Sequence, residues 1–180
     1  LAESVKAGHP PDAIIMHTYT HGFDAGLVFS DQKMGPPYTN YHYHFRAYRD
    51  FMGAIPASLR NRPVFITETQ PADPGWWQNR NIGWIQSAYK EINDWNANPA
   101  NQAIQALCLF RWERGDDRWS ISEKGALLDD FRGALQAEYA APAPRQLGSP
   151  APAQPKPAQP AAGGAPAAKP KAPVEHKTKT

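Results

Sequence analysis

Three times between residues 12 and 139 a short apolar run gives way to a loop and then to an amphipathic stretch, and this alternation limits the possible folds more than any other feature. The runs are DAIIMH (12–17), PVFITE (63–68) and AIQALCLFRW (103–112). Each is short, rich in β-formers and bounded by turn residues, which predicts strands. After the first, YTNYHYHFRAYRDFMG (38–53) spaces Tyr41, Phe45, Tyr48 and Met52 along one helical face, with Gly53 as a stop. After the second, NIGWIQSAYKEINDWN (81–96) lines up Ile82, Ile85, Tyr89, Ile92 and Trp95. After the third, EKGALLDDFRGALQAEY (123–139) does the same with Leu127, Leu128, Phe131 and Leu135. Strands alternating with helices imply an α/β fold with a parallel sheet. Helices are expected to pack outside that sheet, and the runs lack polar alternation, as expected when both faces of the strands are covered. A full (β/α)8 barrel needs eight such units and about 250 residues. Three units in residues 1–140 fit either a small open α/β domain or the last part of a barrel.

The chain divides near residue 140. From Ala141 to Thr180 there are ten Pro and eleven Ala and no Phe, Trp or Tyr. That stretch has too little apolar surface to offset its ordering entropy, so a disordered Pro/Ala/Lys-rich linker or tail is expected over 141–180. It carries six cations and one anion, whereas residues 1–140 carry 13 cations and 16 anions. The basic character of the chain therefore belongs to the tail. The folded part has no basic footprint, which argues against a nucleic-acid partner.

Other classes fall away on simple grounds. Cys108 is the only cysteine, so no intrachain disulfide or cysteine metal site forms, and its apolar neighbours predict burial. No run is long and apolar enough to span a membrane, and no signal peptide is visible. The chain begins at Leu1 within what reads as a helix end, LAESVKAG, and the expectation is that a longer polypeptide precedes it. His17 and His21, and His42 and His44, form a histidine cluster that a metal-dependent hydrolase could use. His17 and His21 straddle a strand end, however, and His42 and His44 fall within the expected helix at a spacing that points them apart. No metal and no cofactor are expected.

The ends of the three runs carry His17, Glu68 and Trp112, and chemistry on a β/α barrel sits at the C-terminal ends of its strands. In order and approximate spacing they resemble the sixth, seventh and eighth strands of clan A, cellulase-like glycoside hydrolases. The matching residues are His17-Thr18-Tyr19 in IIMHTYTHG, Glu68 in VFITETQ and Trp112 in LFRWER. The resemblance covers roughly residues 10–139. It implies the last three units of a (β/α)8 barrel and a retaining hydrolase of O-glycosidic bonds in a polysaccharide or oligosaccharide, secreted or at the cell surface. The family's acid/base glutamate, usually in an Asn-Glu pair after the fourth strand, has no counterpart, because no Asn-Glu pair occurs in the sequence. The resemblance thus places that residue in a barrel half upstream of Leu1, and implies that residues 1–180 alone are inactive. A further domain beyond the tail is plausible in such an enzyme.

Retaining hydrolysis uses two carboxyl groups about 5–5.5 Å apart. The resemblance makes Glu68 the nucleophile, Tyr19 a hydroxyl donor to it, and His17 a substrate contact or part of that network. Trp112 becomes the floor of a sugar subsite, since an indole offers a rigid face to the C–H face of a sugar. Trp76 and Trp77, in the loop after Glu68, are further candidate sugar platforms. Each role has a plainer rival. Glu68 could cap a loop or pair with Arg111 or Arg114, Tyr19 could be an ordinary loop aromatic, and Trp112 could pack in the core. A non-catalytic carbohydrate-binding relative would use the same aromatic cleft.

Overall fold

A computed structural model of the chain describes residues 1–72, 77–113 and 118–140. Three parallel strands, β1 (Ile14–Thr20), β2 (Val64–Pro71) and β3 (Ile104–Leu109), lie side by side in chain order. Four helices accompany them: α1 (Ala2–Lys6), α2 (Ala47–Ala54), α3 (Trp84–Ala97) and α4 (Gly125–Gln136). The chain is therefore α/β with a parallel sheet, as the alternation predicts. The expected tail lies outside the described residues.

The helices cover one face of the sheet only. Along β1, Ile14, Met16, Thr18 and Thr20 are buried, whereas Ile15 is 64 % exposed and His17 is exposed beside it. This overturns the expectation of two covered faces. The physical reason is topological: right-handed crossovers that both step the same way, β1 to β2 to β3, carry α2 and α3 to the same side. Cys108 belongs to the uncovered face and is exposed, contrary to the burial predicted for it, because Ile104 and Leu107 take the helix-facing positions of β3.

Element bounds also shift for identifiable reasons. β1 and β2 run past His17 and Glu68 because their threonines are satisfied inside the fold. Thr18 Oγ1 donates to the Phe45 carbonyl at 2.5 Å, Thr69 Oγ1 donates to the Thr18 carbonyl at 2.6 Å, and Trp84 Nε1 donates to Thr20 Oγ1 at 2.8 Å. α2 starts at Ala47 rather than near residue 38, since Lys33 and His42 form an antiparallel bridge and Tyr43 N–H donates to the Gln32 carbonyl at 2.8 Å. Tyr41 is accordingly 47 % exposed, and His42 and His44 are not helical. Phe45, Tyr48 and Met52 are buried. α3 begins after Gly83, whose φ of 74° suits glycine, so Ile82 stays outside the helix and 37 % exposed. In α4, Leu127 is buried and Phe131 packs against the core, but Leu135 is 60 % exposed.

Two buried carboxylates tie the helix layer together. Glu91 on α3 is 1 % exposed and accepts from Arg46, Arg49 and Tyr48. Asp130 on α4 is fully buried and accepts from the Ile85 and Gln86 backbone N–H groups at 3.0 and 3.2 Å. It supplies the cap that Gly83 cannot give to the N-terminus of α3.

Candidate active site

Glu68 has the same parity as Val64 and Ile66, both fully buried on the helix side, so a regular strand would turn its carboxylate into the core. A bulge prevents this. Ile66 pairs with Met16, but Glu68 pairs with His17, so Thr67 is the extra residue. On the other side, Ile66 pairs with Leu107 and Thr69 with Leu109. Thr67 and Glu68 therefore both stand opposite Cys108. Bulges re-aim side chains in this way, and Glu68 joins His17 on the uncovered face.

There the three side chains meet. The Tyr19 hydroxyl donates to Glu68 Oε1 at 2.7 Å and lies 3.3 Å from His17 Nδ1. His17 Nδ1 is 3.8 Å from Glu68 Oε2, beyond hydrogen-bond length. Oε1 is thus engaged by a donor, while Oε2 makes no hydrogen bond to His17. Burial, then the hydrogen bond and negative charge of Glu68, push the Tyr19 hydroxyl well above its ordinary range. It stays protonated and keeps donating at any physiological pH. The Glu68 side chain is 26 % exposed and that of His17 46 %, so solutes can reach both.

Trp112 follows β3 and is 57 % exposed. Its backbone is well held: the Trp112 carbonyl accepts from the N–H groups of Ile121 and Ser122 at 3.1 and 3.0 Å and from Ser120 Oγ at 3.1 Å. A fixed backbone carrying an exposed indole suits a stacking surface. Trp77 corrects the expectation of a sugar platform. It is 2 % exposed, donates through Nε1 to the Phe110 carbonyl at 2.6 Å, and packs edge-to-face on Trp84 at 5.3 Å. Its rings are spent in the core, where it anchors the strand end two residues before Trp112. Trp76 and Arg114 lie outside the described residues.

The four histidines split three ways, with His17 beside Glu68, His42 beside Asp50 and His21 against His44. His42 Nδ1 sits 2.9 Å from Asp50 Oδ2, and Nε2 is 2.9 Å from the Lys33 ammonium, a cation where a metal would have to stand. His44 is buried and accepts at Nδ1 from the His21 backbone N–H at 3.2 Å. Among the described residues, no group of three or more His, Cys, Asp or Glu side chains could hold a metal ion. No helix among them is long and apolar enough to cross a membrane.

Sequence reading missed the bulge, which no residue type announces. It also passed over Gln70, although in a strand a spacing of two from Glu68 signals a shared face. Comparison with protein-family models, curated proteins and solved structures finds no match to this chain.

Proposed function

We propose that this chain is the nucleophile-bearing part of a retaining glycoside hydrolase, with Glu68 as the nucleophile. The observation that carries the proposal is the Tyr19 hydroxyl donating to Glu68 at 2.7 Å on the uncovered face, at the C-terminal ends of parallel strands. The sheet order β1-β2-β3, with helices on one side and no second neighbour for β1 or β3 among the described residues, suits three consecutive units of a (β/α)8 barrel. The uncovered face would then be the barrel interior. An apolar groove of about 500 Å³ at the β1 edge, lined by Leu1, Ile15 and Phe51 among others, would receive the preceding unit.

In this reading Glu68 Oε2 attacks the anomeric carbon of a sugar stacked on Trp112. The glycosidic C–O bond breaks as the ester to Glu68 forms, and the leaving oxygen takes its proton from the acid/base glutamate of the upstream barrel half. Water, deprotonated by that same group, then displaces Glu68. Tyr19 holds Oε1 so that the carboxylate presents one oxygen, and His17 borders the same sugar. The enzyme would act on extracellular or surface carbohydrate, with the tail as a spacer.

The absence of an Asn-Glu pair favours one rival, a carbohydrate-binding relative without catalysis. The two separate in the parent polypeptide that restores the upstream strands. The hydrolase reading expects turnover there, lost in Glu68→Gln with saccharide binding retained. Full activity in Glu68→Gln would refute the nucleophile. Binding without any turnover in the unmutated parent would establish the rival.

A further inference from the structure

We propose that Gln70 is a ligand-binding residue of the Glu68 site, accepting a hydrogen bond from a sugar hydroxyl; this rests on reading the site as a carbohydrate site. Beyond the bulge the register is Glu68 with His17, Thr69 with Thr18 and Gln70 with Tyr19. Side chains alternate along a strand, so Gln70 shares the face of Glu68, His17 and Tyr19, two pairs beyond Glu68 toward the C-terminal end of β2. Two residues of strand separate it from Glu68 by about 7 Å, within reach of a sugar whose anomeric carbon faces that carboxylate.

The amide lacks a partner at its oxygen, as does Gln102, but only Gln70 lies beside Glu68. Gln70 is 6 % exposed, and its Oε1 is buried without a hydrogen-bond partner among the described residues. Its neighbour Thr69 is fully buried too, yet its hydroxyl is spent on the Thr18 carbonyl at 2.6 Å. A buried acceptor without a donor costs folding free energy, and such groups are few in native folds. An apolar side chain of similar size would pack at position 70 without that cost. The donor that no described residue supplies is then expected from a ligand. A carboxamide suits vicinal sugar hydroxyls, because its oxygen accepts from one while its nitrogen donates to the next. Reaching the enclosed oxygen takes a turn of the terminal amide, and ligand binding can drive that turn.

The test compares the parent polypeptide that restores the upstream strands with its Gln70→Leu, Gln70→Met and Trp112→Ala variants. Each is titrated calorimetrically with cello-, manno- and xylo-oligosaccharides and melted without ligand. The expected result is binding weakened about tenfold in both Gln70 variants, with a melting temperature equal to or above that of the unmutated parent. Unchanged affinity in Gln70→Leu and Gln70→Met, with affinity lost in Trp112→Ala, would overturn the role of Gln70 and leave the carbohydrate site standing. A lowered melting temperature in both Gln70 variants with unchanged affinity would show a structural role instead. Failure of the unmutated parent to bind any of the three series would overturn the carbohydrate reading, and the role of Gln70 with it.

Discussion

The fold concentrates charge at Glu91, and removing that carboxylate should cost more stability than any surface change. Glu91 is 1 % exposed and accepts from Arg46 Nε and Nη2 at 3.1 Å each, from Arg49 Nε and Nη2 at 3.1 and 2.5 Å, and from the Tyr48 hydroxyl at 2.9 Å. Breaking a buried ion pair by deleting one partner costs about 3–5 kcal/mol, because the other charge is left uncompensated. Here the low end applies. The Arg46 and Arg49 side chains are 17 % and 33 % exposed and can turn partly to water, and Arg46 keeps Asp31 at 2.9 Å. Glu91→Ala should therefore lose about 3 kcal/mol. At about 3–4 °C per kcal/mol for a fold of this size, that is a fall of about 10 °C in melting temperature. Urea unfolding of the full chain, followed by far-UV circular dichroism, reads the loss as a lower midpoint at unchanged slope. Replacing all three charges together (Glu91→Leu, Arg46→Met, Arg49→Leu) should recover most of it, since no charge is then stranded. A loss below about 1 kcal/mol in Glu91→Ala, the level of a surface pair, would refute this reasoning.

Two further outcomes follow from the same layer. Asp130→Ala should cost about 2 kcal/mol and speed amide exchange at Ile85 and Gln86, whose N–H groups lose their acceptor; unchanged exchange there would show that Asp130 is not the cap. The His44 imidazole is held below its ordinary range, first by burial and then by His21. Below pH about 6.5 the unfolded chain then binds more protons than the folded one, so stability falls as pH drops through that value. His44→Asn, which keeps an acceptor for the His21 N–H, should narrow the difference in melting temperature between pH 7.5 and 5.5, and an equal difference in both proteins would count against it.

Much of this was legible in the sequence because it rests on local pattern. The apolar runs around Ile14, Ile66 and Leu107 became strands, and the helical faces built on Tyr48, Ile85 and Leu127 became the core. What stayed hidden depends on pairing across the chain. The bulge at Thr67 exists only as an offset between β2 and its neighbours, and without it Glu68 would point into the core. The segment that pairs Lys33 with His42 reads as helix because Tyr41 and Phe45 happen to be four apart. Trp77 looked like a loop aromatic, yet a hydrogen bond to Phe110, 33 positions away, draws it inside. One-sided coverage of the sheet was hidden as well, since Ile15, which is exposed, is as apolar as Ile14, which is buried.

The proposed role of Glu68 as a glycosidase nucleophile is tested most directly by trapping its covalent intermediate. A panel of 2-deoxy-2-fluoro-β-glycosyl fluorides, whose fluoride leaves without an acid catalyst, is incubated with the parent polypeptide, followed by proteolysis and mass spectrometry. A single glycosyl ester is expected on Glu68, within the peptide that holds ITETQ, and none in Glu68→Gln. An ester on a different carboxylate, or active enzyme that no member of the panel labels, would contradict that role.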